Sequence, residues 1–379
     1  MRRSLLLSLV ALTSIACAED SEPAAPSAGP ADRLTELPDL YPTPRLPDGF
    51  SPEVAELGRH LFYDPRLSGN ETQSCSSCHL QNLAFTDGRD VALGSTGEMH
   101  FRNSQTLTNV AYNSTLTWAS SVVSELAAQA LIPMFGESPV ELGMAGREEE
   151  LLQRLSADAT YGRLFSAAFG DSAPSIARIT QALASFQTTL VSHESAYDDF
   201  LYRGQTTALN DEQYLGLQLF FDERFECFHC HGGFNFADAT VHAGTGIVES
   251  PFHNTGVYNV DGSGAYPEKD QGLLEITLRP EDMGRFRAPT LRNIEMTGPY
   301  FHDGSALTLR DVIDHYDRGG RNVTDGPWIG DGALSPIRSS FVRPINMTDE
   351  EKSALIAFLE SLTDEPFMTD PRLANPWTR

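Results

Sequence analysis

Two pentapeptides carry most of the chemistry in this 379-residue sequence: Cys75-Ser76-Ser77-Cys78-His79 and Cys227-Phe228-His229-Cys230-His231. Two thiols three positions apart with a His directly after them form the attachment pattern for a c-type haem. The thiols add to the haem vinyl groups and the His supplies an axial iron ligand. A pair of CxxC motifs could also close a zinc site, or each could form a local disulfide. Neither alternative accounts for a His after both pairs, so two covalently bound haems are the expected cofactors. His229, at an x position of the second motif, reads as a bystander.

The elements that must position these motifs repeat. Gly58 to Arg66 (GRHLFYDPR) parallels Gly216 to Arg224 (GLQLFFDER), and each stretch precedes one haem motif. Each also ends a helix, the first begun by Ser51 with Pro52 and Glu53, the second by Asn210 with Asp211 and Glu212. Downstream, Ala182 to Phe186 (ALASF) parallels Ala354 to Phe358 (ALIAF) in amphipathic stretches, the latter capped near Thr348. Each module therefore reads as helix, haem motif, irregular loops and closing helix. The fold class expected is mainly α: two cytochrome c-like helical domains, 46–200 and 201–379, each wrapping one haem, with the boundary between Ser192 and Leu209.

With 40% apolar residues the chain can build such cores, and its formal net charge of −25 argues against a nucleic-acid partner. The N-terminus reads as an export signal over 1–17. Arg2 and Arg3 precede an apolar run from Leu5 to Ala16 that is too short to span a bilayer. Ser14-Ile15-Ala16-Cys17 resembles a lipoprotein cleavage box, with Cys17 as the lipidated residue and Ser14 in place of the usual Leu. This accounts for the fifth cysteine of five. Residues 18–45, richest in Pro, Ala and Ser before Ala31, are expected to be a disordered tether. The expected location is the periplasm, with any membrane attachment made only through lipid.

Four further blocks give the sequence a family resemblance. They are Leu61 to Asn70 (LFYDPRLSGN), Arg102 to Asn113 (RNSQTLTNVAYN), Ala288 to Asn293 (APTLRN) and Tyr300 to Gly304 (YFHDG). In this order, around two haem motifs, the chain resembles the bacterial di-haem cytochrome c peroxidase and MauG superfamily. Within it, the MbnH-type MauG-like enzymes are the most similar. The resemblance covers about Ser51 to Pro366 and implies two unequal haems. In the better-known peroxidases a distal His stands eight residues before the position of Asn103. Here that position is Ser95, a poor iron ligand, so the first haem is expected to be open, with His100 as a nearby substitute. The axial Met of those peroxidases aligns with Tyr316, the residue type that MauG-type enzymes use there. His315 or a Met is the alternative ligand, although Met283 and Met296 align elsewhere.

Other positions carry over singly. Trp118 matches the family's Trp between the haems, against a plain packing role. Glu141 and Gln129 match the distal acid and amide of the peroxide pocket, against an ordinary surface carboxylate for Glu141. Asn103, with the backbone carbonyls of Thr297 and Pro299, matches a calcium site. The resemblance thus implies an enzyme that uses hydrogen peroxide to reach a bis-Fe(IV)-like state and oxidises a tryptophan of a periplasmic partner protein, a copper-binding MbnP-like protein being one candidate. Trp328 and Trp377 are candidates for an exit path. Two alternatives stand beside it: a cytochrome c peroxidase drawing electrons from a small cytochrome, and a di-haem electron carrier without turnover.

Overall fold

The computed structural model describes residues 28–377. The export signal, Cys17 and the first part of the tether lie outside the described residues. The first half carries α1 (Pro52–Phe62), the short α2 (Leu126–Gln129) and α3 (Leu131–Phe135), α4 (Glu148–Ser156), α5 (Ala159–Phe169) and α6 (Ile176–Thr188). After α7 (Ala196–Tyr202) come α8 (Asp211–Phe220), α9 (Phe228–His231), α10 (Leu274–Thr277), α11 (Leu309–Arg318), α12 (Asp349–Glu360) and α13 (Glu365–Thr369). The β-structure named among the described residues is a two-residue pair, β1 (Asn322–Val323) antiparallel to β2 (Gly330–Asp331). The chain is mainly helical, with long irregular loops between the helices.

Side-chain caps fix where the anchoring helices begin. Ser51, Asn210 and Thr348 each accept a hydrogen bond from the backbone N–H three residues on, starting α1, α8 and α12. Such caps contribute about 1 kcal/mol apiece. The two modules then repeat one packing device. A Cβ on Gly58 would stand 1.9 Å from the Ala182 carbonyl oxygen, and one on Gly216 would stand 1.9 Å from that of Ala354. Phe186 and Phe358 occupy matching places beside the two glycines. α1 thus crosses α6 as α8 crosses α12, backbone against backbone, which only Gly permits.

A further correspondence escapes the linear sequence. Asn109 and Asn293 both adopt left-handed backbone conformations, φ 55° and 59°, which Asn tolerates better than most residues. The N–H of Asn109 donates to the Leu190 carbonyl, and that of Asn293 to Leu362. Their side-chain oxygens accept from the backbone N–H of Ser192 and Asp364, at 2.8 and 2.7 Å. Each Asn therefore ties the loop after its haem motif to the end of its closing helix.

The buried apolar side chains of the described residues form four clusters, the largest built on α1, α5 and α6 and the next on α8, α11 and α12. The C-terminal segment crosses between these two. Phe367, Met368 and Leu373 belong to the first cluster, and Tyr63 donates to the Leu373 carbonyl at 2.7 Å. The tether expected over 18–45 is corrected for its described part. A 3-10 turn spans Pro30–Thr35, Arg33 is 1% exposed against Asp370, and Tyr41 donates to the Ser192 carbonyl at 2.9 Å. Composition hid this, because one arginine and one tyrosine buried against distant partners outweigh a Pro- and Ala-rich stretch.

Arg292, from the APTLRN block, is fully buried and pairs with fully buried Asp198 at 2.9 Å. It also donates to the Phe234 carbonyl, so this block braces α7 against the second module. Losing one partner of such a pair typically costs about 3–5 kcal/mol. The helix crossings give the sharper test. Gly58→Ala or Gly216→Ala should lower stability by about 1–3 kcal/mol or more through overpacking. Gly162→Ala, a mid-helix position where a Cβ meets nothing within 4 Å, should instead stabilise by up to about 1 kcal/mol. Thermal unfolding of the three haem-loaded variants checks the contrast.

Candidate functional site: two cavities sharing a wall

Each CxxCH motif opens on a cavity. The first is lined by Cys75, Cys78 and His79, and the second by Cys227, Cys230 and His231. They enclose about 2100 and 1660 Å³ of space including their mouths.

The two histidines are held alike. Nδ1 of His79 lies 2.8 Å from the Phe85 carbonyl, and Nδ1 of His231 lies 3.0 Å from that of Phe236. Nδ1–H is therefore the donor and Nε2 keeps a free lone pair, the arrangement in which imidazole binds a metal. Phe85 and Phe236 sit at φ 61° and 50°, strained for large side chains, and the strain recurs where a carbonyl must meet the ring. Burial lowers the pKa of both rings below the usual histidine value, so they stay neutral and able to ligate. Paired thiols on one wall, with an imidazole oriented from Nδ1, fit a covalently attached haem in each cavity.

The cavities share a wall. Asn103, Ser104, Gln105, Thr106, Trp118 and Arg287 line both. Trp118 is fixed within it, its indole N–H donating to the Asn103 carbonyl at 2.8 Å.

In the first cavity the structure brings together Glu141, Gln129, Trp118 and His100. Burial alone pushes the Glu141 carboxyl up to about 7, although a third of its side chain remains open. The open part belongs to a residue that lines the cavity, where a carboxyl can exchange protons near neutral pH. Ser95 does not line either cavity. Its backbone N–H donates to the Glu141 carbonyl at 2.7 Å, so it braces the loop that carries Glu141.

In the second cavity several polar side chains are already engaged. His253 pairs with Asp238 at 2.6 Å and His302 with Asp270 at 3.1 Å, while the Tyr300 hydroxyl reaches the Glu295 carbonyl at 3.4 Å. Tyr316 on α11 lines this cavity, and its hydroxyl has no hydrogen-bond partner among the described residues. Burial, then the neighbouring Cys230 and Cys227, raise its pKa above the usual phenol range. The phenolate thus needs a cation to stabilise it. His315 points elsewhere, with Nε2 3.0 Å from the Thr255 carbonyl. Met283 and Met296 pack in other clusters.

Asn103 is 8% exposed and its amide donates to the Arg89 carbonyl at 2.6 Å, leaving the side-chain oxygen available. Thr297 and Pro299 line the second cavity with it. Trp377 packs on Tyr161 and donates to the His60 carbonyl, while Trp328 is 40% exposed. Neither lines either of the two cavities. His253 with Asp238 was missed at the sequence level, since no motif joins residues this far apart in the chain.

Two cavities with matched Cys-Cys-His walls fit a di-haem cytochrome. The comparisons make this specific. Residues 52–207 match the family of di-haem cytochrome c peroxidases. The chain is 34% identical to the cytochrome-c peroxidase IdrP1 of a Pseudomonas species, covering 91% of this chain and 90% of that protein. It is 32% identical to the methylamine utilization protein MauG of Methylorubrum extorquens, covering 87% and 83%. Among solved structures, that of a MauG-like protein associated with microbial copper homeostasis superposes with TM-score 0.88 at 48% identity, covering 90% of this chain and 99% of that one. The chain belongs to the di-haem cytochrome c peroxidase and MauG family. It is a peroxidase-type oxidoreductase, which sets aside the electron carrier without turnover.

The Glu141 geometry yields a prediction. Its carboxylate form grows as pH rises through about 7, so the peroxide reaction of the haem-loaded protein should accelerate roughly tenfold per pH unit below that midpoint and level off above it. Glu141→Gln should abolish this limb, as stopped-flow measurement across pH would record.

Proposed function

We propose that this chain uses hydrogen peroxide to oxidise a partner protein, at a tryptophan, in the manner of MauG-like enzymes. The observation that carries the reading is Tyr316, an unpartnered phenol lining the second cavity where an electron-accepting peroxidase would present a methionine. When bound, the haems would supply the redox chemistry by accepting two oxidising equivalents from peroxide; His79 would hold the haem of the first cavity, and His231 with Tyr316 that of the second. An anionic oxygen ligand favours the higher oxidation states of iron.

The remaining steps belong to the polypeptide. Glu141 takes a proton from the incoming peroxide and returns it to the departing oxygen, with the Gln129 amide orienting the molecule. Trp118, lining both cavities and held by the Asn103 carbonyl, passes an oxidising equivalent between them. The partner would be oxidised at the protein surface without entering either cavity. The likeness to a MauG-like protein associated with copper homeostasis favours a copper-binding protein as that partner. Periplasmic residence, a lipid on Cys17 and a calcium ion on Asn103, Thr297 and Pro299 belong to the same reading. None of the described helices is long and apolar enough to cross a membrane, so attachment would rest on Cys17.

A cytochrome c peroxidase is the second reading, favoured by the names of several relatives. One experiment separates the two. With stoichiometric peroxide and no donor, the di-ferric protein should lose both ferric EPR signals together and recover slowly. Tyr316→Met should prevent loss of the second signal. Trp118→Phe should slow that loss more than tenfold while leaving the initial peroxide reaction unchanged. Retention of the second haem's ferric signal in the unmodified protein, together with rapid turnover on a reduced small cytochrome, would establish the peroxidase. Mass spectrometry of a co-expressed periplasmic copper-binding protein should show oxidised tryptophan only when peroxide and this chain are both present.

A further inference from the structure

We infer that His100 is a positioning residue, locked as an Nε2–H donor toward the Glu141 carboxylate, and that the same lock bars it from ligating the first haem. This deepens the proposed function and rests on its assignment of Glu141 as the distal acid and base.

The lock is visible in the hydrogen bonds. Nδ1 of His100 accepts from the backbone N–H of Arg102 at 3.0 Å, and a ring nitrogen that accepts an N–H carries no proton itself. The neutral ring therefore holds its proton on Nε2. Burial and the adjacent Arg102 both lower the His100 pKa, which keeps the ring neutral. A protonated Nε2 has no lone pair for iron, so ligation would require breaking the bond from Arg102 and moving the proton.

That bond is well supported. Arg102 donates to Asp270 at 2.7 Å and to Glu275 at 2.9 Å, while Asp270 also pairs with His302 at 3.1 Å. Three groups from the second half of the chain thus hold the segment that fixes His100. Nε2 itself lies 3.8 Å from Oε1 of Glu141, a gap that one bridging water or a small rotation closes.

Charged and titratable neighbours around Glu141 are few. Glu98 accepts from the Val140 N–H at 3.2 Å and can only oppose ionisation. Cys75 and Cys78 lie close enough to interact with Glu141, but they become uncharged thioethers once haem is attached. Asp270 and Glu275 are satisfied by Arg102. Arg287 and Arg102 line the same cavity but spend their donors on Thr117, Ala288 and Gln105 and on Asp270 and Glu275. His100 is then the titratable side chain that stands within 4 Å of Glu141 with a donor, and it favours the carboxylate.

The test uses the haem-loaded, di-ferric protein with His100→Leu, His100→Gln and Glu141→Gln. Two readouts need no turnover: the spin state of the first haem by EPR, and the pH midpoint of the protonated-carboxyl infrared band that disappears in Glu141→Gln. The first haem should be high-spin with and without His100. His100→Leu should raise the Glu141 midpoint and slow the peroxide reaction about three- to tenfold at pH below it, with little change above. His100→Gln, which keeps a donor at similar reach, should restore most of the unmodified midpoint. A low-spin first haem that becomes high-spin in His100→Leu would overturn the inference, as would a midpoint that His100→Leu leaves unmoved. Should Glu141→Gln retain the band or the pH limb, the assignment of Glu141 itself fails and the pairing falls with it.

Discussion

The arrangement depends on two hydrogen bonds of one kind, from Nδ1 of His79 to the Phe85 carbonyl and from Nδ1 of His231 to that of Phe236. A histidine free to choose its tautomer or rotate would present an iron with a proton as readily as a lone pair. Each carbonyl removes that choice, and each is aimed by a phenylalanine in the left-handed region. The strain is tolerated because Phe85 and Phe236 are both fully buried, so the surrounding core over-determines their backbone.

Around these two fixed rings the modules diverge by what else faces each cavity. Both repeat the glycine crossing of an opening helix with a closing helix, and both repeat the asparagine tie from loop to closing helix. On that shared frame the first cavity receives a carboxyl, an amide and an imidazole, and the second a phenol that lacks a partner. The segment from Asn103 to Thr106 and Trp118 serves both, so the two sites share part of their walls. A change in the Arg102–Asp270–His302 network touches the wall of each.

Much of this was legible in the residues. The caps at Ser51, Asn210 and Thr348, the glycine-containing repeat and the mainly helical class follow from local chemistry, because N-caps and helix periodicity act within a few residues of chain. The resemblance named Glu141, Gln129, Trp118 and Tyr316, and in the described structure Glu141 and Gln129 line the first cavity, Tyr316 the second and Trp118 both. Ser95 is more instructive. Its alignment position is that of an iron ligand, yet it reaches the site only through its backbone, bracing Glu141. The tether read over 18–45 also ended too late, because the burial of Arg33 and Tyr41 depends on Asp370 and Ser192, far along the chain.

The sequence by itself determined the attachment pattern, since two thiols and a His at fixed spacing are a local feature of the chain. It likewise determined where the principal helices start. Tertiary structure alone decided which donors are already occupied. His315 is a plausible ligand in the linear chain, and folding gives its ring the Thr255 carbonyl, as it gives His253 the Asp238 carboxylate. It leaves Tyr316 without a partner, and it sets the tautomer of His100 through the Arg102 N–H. The physical reason is that a lone pair or a proton is committed by its nearest partner in space, and for these residues most of those partners lie tens of positions away.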